Sequence, residues 1–293
     1  MANWGGSRGN KLGYSIFISI IKTAGIIPAY ALLRLVTLYY FIVPGKAAKS
    51  LMYYFQQRLG YSSFKARFAM YENFNFLGRS IIDKIVMMSG LPLPFTVNHE
   101  GGSCLDDMVT EGKGGLLISA HVGNWEAAGH LLKRLKTKIN IVMYDGEHQK
   151  IKEYLDGVRE RSFNVIVIKD DISHIYEIKE AVERNEFVCI HADRHIEGNK
   201  TITGKLLGAD AKFPIGPFVL ATTFQIPVSF VYAAKEGPKH FHFYASKAKI
   251  YPLGRAGIPL ILADYLQETD TMIRKYPLQW HNYFPFWDEE IQA

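Results

Sequence analysis

Between residues 114 and 275 short apolar runs alternate with longer stretches of helical periodicity, and this alternation restricts the fold more than any other feature. The runs are 114–120 (GGLLISA), 139–143 (INIVM), 164–168 (NVIVI) and 187–191 (FVCIH), followed by 227–234 and 240–250. Helical periodicity occupies NWEAAGHLLKRLK, residues 147–162, residues 172–185 and an amphipathic segment over 258–275. Continuous apolar strands belong to sheets buried on both faces, so the pattern predicts an α/β fold, a mixed, largely parallel sheet flanked by helices. Ligand sites in such sheets gather where strands end and loops begin. Gly90, Pro92 and Pro94 set the start of this domain, predicted over 94–293, after a helical region over 1–93.

The two regions differ in charge. Residues 1–93 hold eleven Lys and Arg against Glu72 and Asp83 alone, a net +9, whereas the other 200 residues carry −3. Such asymmetry points to an acidic partner surface, nucleic acid or anionic lipid. Residues 14–43 decide between them: a long apolar stretch broken by Lys22, Pro28 and Arg34, with Tyr39 and Tyr40 near its end. Neither half is a clean span of about 20 apolar residues. A membrane-associated helical segment, lying in the interface or bent near Gly25 and Pro28, accommodates the charges and tyrosines. Nucleic acid is not expected, because no RNP-like motif, zinc-finger spacing or basic recognition helix is present. Cys104 and Cys189 cannot build a disulfide framework and read as reduced structural thiols.

The chemistry concentrates in His121-Val-Gly-Asn-Trp-Glu126. His121 closes the first apolar run, and Asn124 suits the N-cap of the following helix. On one continuous helix residues five apart point about 140° from each other. With His121 on the strand-end loop and Glu126 in the first helical turn, the carboxylate can reach back to the imidazole. An acid so placed fixes the tautomer of a histidine serving as general base. The same residues alone also describe an ordinary strand-end histidine and a helix-capping glutamate.

Surrounding blocks add context. GGLLISAHVGNWEAAG resembles the HX4D/E block of the bacterial lipid A late acyltransferases. CIHADR, with Asp193 and Arg194, is similar to that family's Asp-containing block, LLGADAKFPIGPFVLA to its small-residue block, and LQWHNYFPFWD to its closing aromatic motif. WGGSRGNKLGYSIF and LYYF are similar to a branch that accompanies aryl-polyene or flexirubin-type pigment synthesis or other bacterial lipid pathways. After the second strand, lipid A-directed members carry an Arg-Pro-Asn-like block. Here that place reads Tyr144-Asp145-Gly146-Glu147-His148, without the arginine, a departure that bears on a phosphorylated disaccharide acceptor and leaves the acyl-transfer chemistry untouched.

The resemblance implies that His121 and Glu126 move an acyl group from an acyl-carrier-protein or coenzyme A thioester to a hydroxyl or amine of a membrane lipid, lipid A or a relative. It implies no cofactor and no metal, and a place on the cytoplasmic face of the inner membrane. The oxyanion would take backbone N–H groups near Gly123 or a nearby cation. Asn124, Asp193, Arg194 and Gly216 are candidates for binding substrate, with Arg159 and Arg161 as phosphate ligands. Lys205 and Lys212 read first as solvated surface charges. Two rivals stand beside this reading: a metal-dependent hydrolase using His191, Asp193 and His195, which would share a face of a continuing strand, and a non-catalytic membrane lipid-binding protein.

Overall fold

The computed structural model describes residues 11–43, 45–88, 95–124, 135–144, 163–169, 171–196 and 198–292. The expected domain boundary near residue 93 falls outside them, as do most of the predicted helix at NWEAAGHLLKRLK and the helix over 147–162.

The chain opens with α1 (Lys11–Ala24) and α2 (Ile26–Ile42), separated at Gly25, whose φ of 87° no helix continues through. Pro28 falls in the first turn of α2, where a missing N–H removes no helical hydrogen bond. Next come α3 (Lys46–Tyr53), which runs into a π-helical turn at Tyr54–Arg58, and the 26-residue α4 (Ser63–Met88). α2 buries Ile26, Ala29, Tyr30, Leu33 and Thr37 and packs on α4. Leu35, Leu38, Tyr39 and Ile42 are left exposed. α2 is therefore apolar on its outer face as well as its inner one. Arg34 pairs with Glu72 at 3.1 Å. Among the described residues no single helix is long and apolar enough to cross a membrane; α2 with Lys46–Arg58, bent by 93°, meets the length and composition of a broken span.

The α/β part comprises β1 (Thr96–Glu100), α5 (Gly102–Thr110), β2 (Gly115–Ser119), β3 (Ile139–Tyr144), β4 (Asn164–Ile168), α6 (Ser173–Glu183) and β5 (Phe187–His191). It continues with β6 (Thr201–Leu206), β7 (Ala209–Pro214), α7 (Gly216–Thr223), β8 (Val228–Gly237), β9 (His240–Ala245), α8 (Ile258–Lys275) and α9 (Asp288–Gln292). Seven strands form one sheet in the order β1-β9-β8-β2-β5-β3-β4, and β6 and β7 form a separate hairpin. Among the described strands of this sheet β8 and β9 alone pair antiparallel. The expected mixed, largely parallel sheet flanked by helices is therefore present.

Alternation along the central strands divides the core into two layers. Leu116, Ile118, Val188 and Ile190 face one cluster, while Leu117, Ile141 and Phe187 face the other. The first cluster also takes in Leu51, Tyr54 and Phe55 of the helical region, with the Tyr54 ring 5.1 Å from that of Trp280. The α6 and α8 segments match the predicted helices closely. By contrast β1 and the β6–β7 hairpin are not expected from the sequence, because β1 is mostly exposed and the hairpin strands alternate between core and solvent, so none leaves a continuous apolar run. β9 ends at Ala245, short of the predicted residue 250.

Candidate active site

β2 and β5 are adjacent, parallel neighbours, with Ser119 opposite His191. Continuing two residues past that pair on each strand brings His121 beside Asp193. The Asp193 carboxylate meets His121 Nδ1 at 2.7 Å and accepts the His121 backbone N–H at 2.9 Å. A third donor, the indole Nε1–H of Trp280, reaches the same carboxylate at 3.3 Å. Asp193 is 2 % exposed. Burial works against its charge, but the His121 charge and hydrogen bond, helped by Arg194, outweigh it and hold the carboxyl well below the usual carboxylate range. A carboxylate only accepts, so Nδ1 carries a proton, and in the neutral ring Nε2 then holds the lone pair, the tautomer a general base requires.

Backbone pairing fixes the loop that carries His121. Gly123 has φ 77°, and a Cβ there would lie 2.1 Å from the Ala233 carbonyl oxygen, so only glycine fits. The Gly123 N–H donates to Gln279 O at 2.8 Å, Asn124 N–H to Ala233 O at 2.8 Å and Val122 N–H to Ala120 O at 2.7 Å, while His121 O accepts the His281 N–H at 3.0 Å. The four N–H groups of His121–Asn124 are thus engaged, so among the described residues of this loop none offers a backbone donor to an oxyanion. The fold uses them to hold the loop.

His121 opens onto a cavity of about 240 Å³. Val142, Met143, Ile168, Ile178 and Leu220 give it apolar walls, and His191, Arg194 and Gly216 also line it. The His191 ring lies 4.3 Å from that of His121. Burial, and then the charge of His121, push the His191 imidazole well below its ordinary pKa, so it stays neutral at pH 7. Arg194 donates to His281 O at 2.6 Å, with Phe284 under its guanidinium at 5.9 Å.

Of the residues expected at the site, His121, Asp193, Arg194 and Gly216 come together. Asp193, expected among the substrate-binding residues, is found as the direct hydrogen-bond partner of the histidine. Asn124 is buried, with its Nδ2 donating to Ser80 O of α4 at 3.4 Å, and it is not among the described cavity-lining residues. Lys205 and Lys212 are exposed on the β6–β7 hairpin. Glu126, Arg159 and Arg161 lie outside the described residues.

The metal cluster expected of His191, Asp193 and His195 does not form, because β5 ends at His191 and the chain beyond it is no longer a strand. Among the described residues the group close enough to share an ion is His121, His191 and Asp193. Its fit is poor: two ligands on one tetrahedral zinc stand about 3.3 Å apart, whereas His121 Nδ1 and Asp193 Oδ1 are in direct hydrogen-bond contact at 2.7 Å.

Three supporting residues were not foreseen in these roles. The sequence presents His191 as a member of the CIHADR block and a possible metal ligand, and Gln279 and Trp280 as parts of an aromatic motif. A model of the family described as bacterial lipid A biosynthesis acyltransferase matches residues 60–287, spanning the helical region from α4 onward, the sheet and the closing segment. A comparison with curated proteins finds no match.

Proposed function

The chain belongs to the bacterial lipid A biosynthesis acyltransferase family, and on that premise we propose that it transfers a fatty acyl group from a carrier-protein or coenzyme A thioester to a hydroxyl or amine of a membrane lipid. The observation that carries the proposal is the His121–Asp193 pair at the wall of an apolar cavity. The cavity suits an acyl chain. His121 Nε2 removes the acceptor proton as the acceptor oxygen attacks the thioester carbonyl. The tetrahedral intermediate then expels the thiolate, which recovers that proton from the imidazolium, giving an ester and a free thiol. Asp193 holds the ring and balances the transient positive charge. Arg194, lining the same cavity, is the cation assigned to the oxyanion.

Glu126 completes the family's His-X4-acid spacing, and its action with His121 remains part of the proposal. Arg159 and Arg161 are assigned to acceptor phosphates.

The exposed apolar face of α2, beside the basic surplus of residues 1–93, supports seating on the anionic cytoplasmic face of the inner membrane. No cofactor is invoked.

Thiol release from an acyl-carrier-protein or acyl-coenzyme A thioester, in detergent with extracted bacterial lipid as acceptor, tests the reaction. Wild-type protein is expected to release thiol and esterify a lipid, and His121→Ala to do neither. Equal thiol release by both would remove the histidine from the chemistry.

A further inference from the structure

The closing segment Gln279–His281 makes an antiparallel bridge to the catalytic loop. Gly123 N–H donates to Gln279 O at 2.8 Å, His281 N–H donates to His121 O at 3.0 Å, and Val122 faces Trp280 in the bridge between them. The Gln279 side chain fixes the other side of this strap. Its Oε1 accepts the Lys235 N–H and its Nε2 donates to Lys235 O, both at 2.9 Å, so the carboxamide copies a strand against β8.

Between these anchors Trp280, 1 % exposed, is wedged among Tyr54, Phe286 and Trp287. Its ring can hardly turn, and its one donor is spent on Asp193 Oδ2 at 3.3 Å. That oxygen also takes the His121 backbone N–H, which leaves Oδ1 to the imidazole. Two donors on one oxygen and the ring on the other set the carboxylate plane.

We infer that Trp280 is a positioning residue for acyl transfer: its indole N–H orients the Asp193 carboxylate, and through it the tautomer and angle of His121. This assignment rests on the reading of His121 and Asp193 as base and orienting acid. The charged or titratable groups around the pair are His191 at the end of β5, Arg194 beyond it, His281 of the strap, Tyr232 of β8 and Tyr265 of α8. None of them is altered by replacing the indole donor. Without that donor more negative charge stays on the carboxylate facing Nδ1, so the imidazolium is favoured and the acidic limb of the rate profile moves to higher pH.

The experiment compares Trp280→Phe, Trp287→Phe and Asp193→Asn in steady-state acyl transfer across pH. Trp287 is an internal control: it too is a buried indole, donating to Leu206 O at 3.0 Å, but it makes no bond to the site. For Trp280→Phe the expected result is a kcat lower by about tenfold with KM little changed, as for loss of one hydrogen bond to a charged group, and an acidic limb shifted upward. Trp287→Phe should keep the wild-type profile. If Trp280→Phe does not fold, benzothienylalanine at position 280, which keeps the bicyclic ring and lacks the donor, gives the same readout. A wild-type kcat and profile in the donor-free variant, or an equal change in Trp287→Phe, overturns the assignment while an inactive Asp193→Asn leaves the underlying reading intact. An active Asp193→Asn overturns that reading itself.

Discussion

His121 and Asp193 each stand two residues beyond a registered pair, Ser119 and His191, on adjacent parallel strands, and a 2.7 Å hydrogen bond joins them. The offset between the two strands thus equals the offset between the two side chains. A one-residue slip of β5 against β2 would turn Asp193 away and bring Ala192 or Arg194 to the imidazole. The site is therefore a consequence of strand register.

That relationship makes Asp193→Asn the sharpest substitution. An amide can donate to Nδ1 as well as accept from it, so the tautomer is no longer fixed. The rate should fall by about 10³–10⁴-fold while the volume of the buried side chain is conserved. Steady-state acyl transfer, with near-UV circular dichroism to confirm the fold, measures it. Glu126→Gln should lower the rate by about 10²–10⁴-fold if that carboxylate acts in proton transfer, and a normal turnover would remove Glu126 from the chemistry.

Acid should destabilise the protein well before its carboxylates protonate. Burial, then the charges of Arg194 and His121, push the His281 imidazole down to about 3, and His191 is also held far below its ordinary value. The unfolded chain then binds more protons than the native one from about pH 6.5 downward. Their contribution is fully present above about pH 6.5 and is lost as pH falls toward the folded values. Urea midpoints between pH 7.5 and 4.5 should drop, and His281→Gln should flatten the slope.

Lys235 of β8 and Asp83 of α4 form a buried ion pair at 2.8 Å, 3 % and 0 % exposed, with the Tyr30 hydroxyl of α2 on the same carboxylate. Removing one partner strands the other charge, so Lys235→Met or Asp83→Leu should each cost about 3–5 kcal/mol in urea unfolding. The double variant Lys235→Met/Asp83→Leu should recover most of that loss.

Membrane seating through α2 predicts that Leu35→Glu, Leu38→Glu and Ile42→Glu together release the protein from anionic vesicles without unfolding it, because all three side chains are exposed. Undiminished sedimentation with vesicles would place the contact elsewhere.

Much of this architecture was legible in the sequence because fully buried strands leave continuous apolar runs: 164–168 and 187–191 are strands residue for residue, and the helix over 258–275 coincides with α8. The break at Gly25 was legible for the same local reason, a residue that tolerates φ of 87°. Spatial strand order is not a local property. β3, β4 and α6 lie in sequence between β2 and β5, yet β5 pairs directly with β2, and nothing in HADR announces that Asp193 ends beside His121. Glu126 drew attention because it is near in sequence, whereas the observed partner is 72 residues away. Trp280 was visible only as an aromatic in an aromatic motif, since its indole donor acquires meaning from what the fold sets against it.

The most direct test of the central claim compares, by mass spectrometry, the lipids of producing cells carrying wild-type protein, His121→Ala or Asp193→Asn. In both variants one lipid species is expected to lack a single acyl chain present with the wild type, which would also identify the acceptor. No change in any lipid class, with both variants folded and expressed, would contradict it.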